Sequence, residues 1–437
     1  MIDEIPKEAA QMLSFFPEVR MVDVWIVLTA TATNVACALV GCFLVLRRMS
    51  LMGDAISHAV LPGLVLALLF SGSLGIVPMF LGAAAMGLLT TFLTQTLHQY
   101  ARVPSDASMG VVFTSLFALG VILVKKFVTG LHFDVACVYE GALEFVPFAE
   151  PILGLPRPLF TTFAVLLVNL LMLALLWKEL KVSSFDASLA STMGFSSTAM
   201  HYLLMSLVAV TTVASFEAVG SILVVAMLIV PAATAHLLCD RLGTMVCLST
   251  VIGAAAALLG YIAGRWFDTN YAGMITVAVG VLYGLAVLVS PRYGLVSSIV
   301  RNVRMSLRVI RDDLLGMLYR VEELAGEKPL SSAQARRAVG GGWLAKWGLA
   351  ELVHEGRIEN RGDQLCLTES GREAARNLVR SHRLWETYLV KHLGMPLDHV
   401  HAPADRVEHY IDDRLRRELE AEVDTAAGDP HGREIPE

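Results

Sequence analysis

Charge is scarce in this sequence. Asp, Glu, Lys and Arg make up 17% of the 437 residues, and the formal net charge is −6. A chain so lightly charged has no basic surplus pointing to nucleic acid and too little polar surface for an ordinary soluble protein of this size. Cysteine is sparse too. Cys37, Cys42, Cys137, Cys239, Cys247 and Cys366 are scattered, form no CxxC pair, and four of them fall in apolar stretches. This excludes a disulfide framework and a thiolate zinc site. No GxxxxGK[ST] sequence occurs, so the chain has no P-loop with which to hydrolyse ATP. The opening MIDEIPKEAAQMLSFFPEVR is acidic and amphipathic and lacks the basic start and apolar centre of a cleavable signal peptide.

What the chain has is long apolar runs. Hydrophobic residues reach 55%, and the mean hydropathy is +0.61. About 20 apolar residues cross a hydrocarbon core of about 30 Å. Such runs lie near 24–46, 55–71, 76–97, 109–126, 159–177, 200–214, 216–239, 244–264 and 272–290. The 200–239 pair reads equally as one broken helix plus a short one. The expected fold class is an all-α polytopic membrane protein with about eight or nine transmembrane helices. After Pro291 the sequence turns charged and amphipathic, and no later stretch is apolar enough to span. Arg47, Arg48, Arg102, Lys178, Lys181, Arg241 and the basic run from Arg292 fall on one side when spans alternate, whereas Lys125, Lys126, Arg157 and Arg265 fall on the other. The majority marks the cytoplasmic side. The tail is then cytoplasmic and, with nine spans, the N-terminus external.

LRRMSLMGDAISHAVLPG (46–63) places Asp54 and His58 one helical turn apart at the start of an apolar span. Ionisable groups at that depth mark a pathway or site, and a carboxylate with an imidazole suits Mn²⁺, Fe²⁺ or Zn²⁺. The plainer alternative is that they pin a helix end. Glu217 reads as opening the span after it, either as a pathway group or as a carboxylate favoured by a helix N-terminus. His132, Asp134 and Glu140 read as members of a solvated external loop. The segment 177–195, WKELKVSSFDASLASTMGF, is an amphipathic cytoplasmic stretch suited to lying across a soluble partner.

In the tail, residues 305–324, SSAQARRAV and GWLAKWGLAELVHEG read as three helices, GRIENRGDQLCLT as a hairpin and TESGREAARNLVRSHRLWETYLVKHLG as a long helix. Three helices and a two-stranded ribbon make a winged helix-turn-helix arrangement. His382 and Glu386 are spaced i, i+4. His401, Asp405, Glu408 and His409 fall at i, i+4, i+7 and i+8 on one helical face. Packed together, two such helices aim six N/O donors at a small volume, a set that favours Mn²⁺ or Fe²⁺ over structural zinc.

LRRMSLMGDAISHAVLPG, KELKVSSFDASLASTMGF and FEAVGSILVVAMLIVPAATA resemble, in order and spacing, the signatures of the manganese/zinc/iron ABC-importer permease family, over residues of about 20–295. The resemblance implies a bacterial cytoplasmic-membrane transport subunit that is no enzyme. It implies a second permease subunit, a separate ABC ATPase and an extracytoplasmic metal-binding protein as partners. It places Asp54 and His58 on the metal pathway and makes Phe185, Asp186, Ala190 and Gly194 part of the segment seated on the ATPase.

Residues of about 305–437 resemble the iron- and manganese-dependent repressors of the DtxR/MntR type, through LTESGREAA, HRLWE, HAPADRVEH and DPHGREIP. His382, Glu386, His401, Asp405, Glu408 and His409 each match a ligand position of that family, and Asp313 matches the N-terminal-helix ligand of its manganese members. Asp405 stands where iron-type members carry cysteine, which tilts the metal toward manganese. Gly316 stands where a further manganese-type carboxylate is expected, so that set is incomplete. The divisions expected are an amphipathic segment 1–22, a permease domain 23–295, a basic linker 296–311, a winged-helix-like domain 312–372 and a metal-binding and dimerisation domain 373–437.

The helix that would read DNA is poor in the polar groups such a helix needs. It offers Lys346 and two tryptophans, with Arg336 and Arg337 on the helix before it. DNA binding by the tail is read as decayed, or as using another surface. The leading expectation is a permease subunit for divalent metal, Mn²⁺ ahead of Fe²⁺ and Zn²⁺, with a tail that senses the same ion. The rivals are a membrane-anchored or proteolytically released metal-dependent repressor, and a permease for metal chelates that needs no ligands in its path.

Overall fold

The computed structural model describes residues 21–72, 76–127, 143–324, 330–423 and 428–436. The loop residues His132, Asp134 and Glu140, and the opening amphipathic segment up to residue 20, lie outside them. The chain divides into two compact units, 1–297 and 298–437.

The first unit is a helical bundle: α1 Met21–Leu46, α2 Met52–Ala59, α3 Leu61–Ser71, α4 Ile76–Tyr100, α5 Ser105–Phe127, α6 Arg157–Leu175, α7 Trp177–Phe185, α8 Ala187–Thr192, α9 Ser197–Val219, α10 Ser221–Leu238, α11 Leu242–Phe267 and α12 Tyr271–Val289. A small hairpin, β1 Pro151–Ile152 and β2 Leu155–Pro156, precedes α6. Eight stretches among the described residues are long and apolar enough to cross a membrane, α2 and α3 counting together as Met52–Ser71, and Leu223–Leu238 is a shorter apolar helix beside them. The break expected at residue 215 instead falls at Gly220, whose φ of 79° ends α9 and starts α10. Only glycine adopts that geometry without strain.

α1 runs through the middle, packed by α6, α9, α10 and α11. Lipid gives no hydrophobic drive for helices to associate, so close approach by small residues must hold them. α1 supplies Ala30, Ala36, Cys37, Ala38 and Gly41, all buried. A Cβ on Gly41 would lie 1.8 Å from the Leu228 carbonyl oxygen of α10, so no other residue fits there.

The second unit begins inside α13, Leu295–Glu323, and continues with α14 Ser332–Ala338, α15 Gly342–His354, the antiparallel pair β3 Ile358–Arg361 and β4 Gln364–Leu367, then α16 Glu369–Leu393, α17 His401–Val407, a 3₁₀ turn Glu408–Tyr410 and α18 Asp413–Glu422. The helix expected at 305–324 thus starts ten residues earlier and takes in the basic stretch expected as a linker. α14 starts on a capping box: Ser331 accepts from the Gln334 N–H while the Gln334 side chain accepts from the Ser331 N–H. β3 pairs with β4 from Ile358↔Leu367 to Arg361↔Gln364. α13, α15, β3, β4 and α16 bury Leu314, Leu318, Leu349, Leu352, Ile358, Leu365 and Ala375 together. Each fully buried leucine contributes about 1.5–3 kcal/mol.

Candidate metal sites

Asp54 and His58 share one face of α2, with His58 Nε2 3.4 Å from Asp54 Oδ1. Their side chains are 40% and 34% exposed in the single chain. Ionisable groups facing out of an apolar bundle require a wet path or a polar partner. The His58 ring stacks on Phe113 of α5 at 5.7 Å, with Phe117 edge-on at 6.1 Å. Two donors do not enclose an ion. Among the described residues, no group of three metal-capable side chains gathers around Asp54, His58 or Glu217.

Glu217 does not open a span as expected. It sits in the last turn of α9, where a helix dipole disfavours a carboxylate. Arg157, the first residue of α6, is disfavoured at its own helix N-terminus for the same reason. The two neutralise each other, with Arg157 Nε donating to Glu217 Oε1 at 2.7 Å.

In the segment 177–195, Asp186 caps α8 by accepting from the Ser188 and Leu189 N–H groups, both at 2.9 Å. Gly194 follows at a φ of 86°. Ala190 is fully buried, whereas Phe185 at the end of α7, Leu189 on α8 and Met193 just after it are exposed. Sequence reasoning names Phe185 and misses the other two, since the break at Asp186 leaves no continuous helical period to follow. It also misses Arg47, whose guanidinium donates to Ser184 Oγ at 3.1 Å and Ser183 Oγ at 2.9 Å, fastening α7 to the end of α1.

The tail residues converge. α16 carries His382 and Glu386, α17 carries His401 and Asp405, the turn after it carries Glu408 and His409, and α13 carries Asp313. The single helical face expected over 401–409 is instead a helix that tightens into a 3₁₀ turn at Glu408. Three groups have donor atoms within 4.8 Å of one another: His382, Glu386 and His401; Asp313, Glu408 and His409; and His382, Asp405 and Glu408. The His382 ring links the first and third of these, and Glu408 links the third to the second. His382 Nε2 is 3.1 Å from Glu386 Oε1 and 3.1 Å from His401 Nδ1. Its Nδ1 is 2.5 Å from Glu408 Oε2 and 3.5 Å from Asp405 Oδ1. His409 Nε2 is 3.6 Å from Asp313 Oδ1.

Two further neighbours were not read from the sequence. Asp312 Oδ2 is 3.2 Å from His409 Nδ1. Arg320 reaches 3.9 Å from Glu408. The signal for Arg320 was its spacing, two helical turns after Asp313.

The electrostatics fit a cation site. Burial works to keep His382 neutral, but hydrogen bonds to Glu386 and Glu408 and their charges outweigh it and push its pKa up to about 9. Burial works to raise Glu386 as well, and its bonds to His382 and His401 overcome this and hold it at about 2. Burial raises Asp313; His409 opposes that, and Glu408, Asp405 and Asp312 add to it. Carboxylates crowded until one resists ionisation hold negative charge that a cation would neutralise.

On α15 the exposed face carries Lys346 and the stacked pair Trp343 and Trp347, ring centroids 6.2 Å apart. Arg337 is exposed on α14, while half-buried Arg336 turns back to its own helix, donating to the Ser332 carbonyl at 3.1 Å.

Comparison with known proteins covers both units. Residues 368–437 match the iron dependent repressor metal binding and dimerisation domain. A manganese transport system membrane protein of Bacillus subtilis, MntD, is 44% identical over 287 residues, covering 65% of this chain and 97% of that relative. A zinc transport system membrane protein of Treponema pallidum, TroD, is 36% identical over 354 residues, covering 79% of this chain and 96% of that relative, so that likeness runs past the last span into the tail. The solved structure of PsaBC from Streptococcus pneumoniae in complex with Fab matches with a TM-score of 0.55 and 33% identity, over 65% of this chain and 97% of that one. Residues 21–290 match the ABC 3 transport family throughout, and with the eight candidate spans they make this chain a multi-pass membrane protein that belongs to that family.

Proposed function

We propose that the chain is the permease subunit of an ABC importer for divalent metal ions, Mn²⁺ first, with Fe²⁺ and Zn²⁺ behind it, and that its tail senses the same ions in the cytoplasm. The carrying observation is that seven metal-capable side chains from four separate elements converge in the tail of a chain whose membrane unit belongs to a transport family. Relatives named for manganese and for zinc transport support the substrate class.

The half-exposed Asp54–His58 pair supplies two donors to the path, and a second permease subunit supplies the rest. The exposed Phe185, Leu189 and Met193 seat on a separate ATPase chain, and an extracytoplasmic metal-binding protein delivers the ion. The tail holds Mn²⁺ with Asp313, Asp405, Glu408 and His409, and a second ion with His382, Glu386 and His401. The anchored-repressor reading is not favoured, because two tryptophans dominate the α15 face that would have to read base edges.

The test is metal uptake into vesicles holding this chain and its ATPase, loaded with binding protein. Wild type is compared with the Asp54→Ala/His58→Ala double variant and with a chain cut after about residue 300. Uptake abolished in the double variant and kept or raised in the cut chain is expected. An intact chain that takes up none of Mn²⁺, Fe²⁺ or Zn²⁺ with ATP would overturn the reading.

A further inference from the structure

His431 belongs to the closing segment, 429–436, far in sequence from the helices that carry the other metal-capable groups. Its Nε2 lies 3.9 Å from Glu386 Oε1. That same oxygen is 2.9 Å from His401 Nδ1 and 3.1 Å from His382 Nε2. The segment is tied down. The buried Asp429 side chain accepts from the backbone N–H of His431 at 2.9 Å and of Arg433 at 2.7 Å. The Asp429 N–H donates to the Arg433 carbonyl at 2.8 Å, closing a small loop whose turn uses Gly432 at a φ of 79°.

Arg383 anchors this loop from α16. Its Nε is 3.6 Å from Asp429 Oδ2, and its Nη1 donates to the Glu434 carbonyl at 2.6 Å. Ile435 is buried against Leu384, Leu419 and Val423. The residue next to His382 in sequence therefore holds in place the segment that presents His431.

We propose that His431 is the fourth protein ligand of the His382–Glu386–His401 group, which then forms a site of three imidazoles and one carboxylate suited to Zn²⁺. The proposal rests on the metal-binding reading of the tail given above. Four N/O donors close a tetrahedral zinc shell, in which neighbouring donor atoms stand about 3.3 Å apart. His431 stands outside the three groups whose donor atoms lie within 4.8 Å of one another, so its ring, 42% exposed, has to turn toward Glu386 to close the shell. Asp313, Glu408 and His409 form a neighbouring group of two carboxylates and one imidazole, with Asp405 beside Glu408, and this oxygen-richer set suits Mn²⁺. The tail then carries two adjoining sites of different metal preference, and His431 sets that difference.

The experiment uses the full-length chain with Asp54→Ala and His58→Ala as background, so that the membrane pair does not contribute. Zn²⁺ is titrated against a chromophoric chelator, and Co²⁺ binding is followed by visible absorption, where tetrahedral sites absorb far more strongly than octahedral ones. Adding His431→Ala is expected to weaken Zn²⁺ binding by about 10–100-fold or more, since even outer partners of metal ligands are worth that much. The strong Co²⁺ bands are lost and return with added free imidazole, while Mn²⁺ affinity stays within about twofold. If His431→Ala leaves the Zn²⁺ affinity and the Co²⁺ spectrum unchanged while His401→Ala abolishes both, the site exists without His431 and the proposal falls. If His401→Ala and Glu386→Ala also change nothing, the metal-binding reading of the tail fails and takes the proposal with it.

Discussion

Metal binding to the tail must displace a proton. His382 is a buried imidazole that Glu386 and Glu408 hold protonated up to about pH 9. An imidazole binds metal only in its neutral form. At pH 7 about one His382 in a hundred is neutral, so the proton weakens apparent affinity about a hundredfold, equivalent to about 3 kcal/mol. Calorimetry on the full-length Asp54→Ala/His58→Ala chain, in buffers of differing ionisation enthalpy, should show about one proton released from His382 per tail filled at pH 7 and about half a proton at pH 9. Affinity should climb about tenfold per pH unit between pH 7 and 8 and level off above 9. For the metal-free tail the sign is opposite. A histidine with a raised pKa stabilises the fold fully below its ordinary 6.5, and that contribution is lost as pH rises through about 9. Glu386, depressed to about 2, stabilises above its ordinary 4.5 and ceases to do so as pH falls through about 2. Hydrogen-exchange protection of α16 should therefore fall from pH 6.5 to 9 without metal and rise with it. An affinity that is flat across pH 7–9, with no proton released at pH 7, would refute the reasoning.

Two further outcomes follow from the membrane unit. Arg157→Ala strands Glu217 at a helix C-terminus and should lower stability by roughly 1–3 kcal/mol, between the values for exposed and buried pairs; a thermal scan in detergent should show most of the loss recovered by the exchanged pair Arg157→Glu/Glu217→Arg, and an Arg157→Ala chain as stable as wild type would deny the pair a structural role. Phe185→Asp and Leu189→Asp alter exposed side chains and should abolish co-purification with the ATPase while leaving the Tm unchanged; normal co-purification would remove the 177–195 segment as the docking surface.

The membrane class was legible because hydrocarbon thickness sets a length that composition either meets or does not, and the runs at 24–46 and 244–264 meet it without ambiguity. The break near residue 215 was misplaced because apolar sequence continues on both sides. What ends α9 is the positive φ of one glycine among many, Gly220. Glu217 was misread for the same reason: moving the break by five residues moves a carboxylate from the start of one helix to the end of another. The tail cluster was legible in its residue types because i, i+4 spacing puts His382 with Glu386 on any helix. Its tertiary closure was not, since Asp312, Arg320 and His431 join through contacts that span up to about a hundred residues of chain and leave no local period. Arg47 escaped notice because a basic residue at a span end reads as a topology signal, and only the fold shows it bonded to two serines of α7.

A signal from the tail cluster to the membrane unit is expected to run through α13, the helix that leads from the last span into the tail. Asp313 is the member of the cluster that α13 contributes, and α13 begins at Leu295, six residues after the last span ends at Val289. An ion that joins Asp313 to Glu408 and His409 orders α13 against the turn that follows α17, all within the second unit. Such an ion shifts transport only if it binds one state of the tail more tightly than the other. A tenfold shift needs a preference of about 1.4 kcal/mol, within what one charged ligand supplies, whereas a full reversal from 1:99 to 99:1 needs about 5.5 kcal/mol. Asp313→Asn removes that charge and leaves His382, Glu386 and His401 in place. Mn²⁺ on the cytoplasmic side is expected to slow the ATPase rate of the intact complex, and Asp313→Asn is expected to keep Zn²⁺ binding at those three residues while abolishing that inhibition, as is cutting the chain after about residue 300. If the Asp313→Asn complex is inhibited by Mn²⁺ as strongly as wild type, the signal does not run through α13, and the oxygen-rich group is not the sensor.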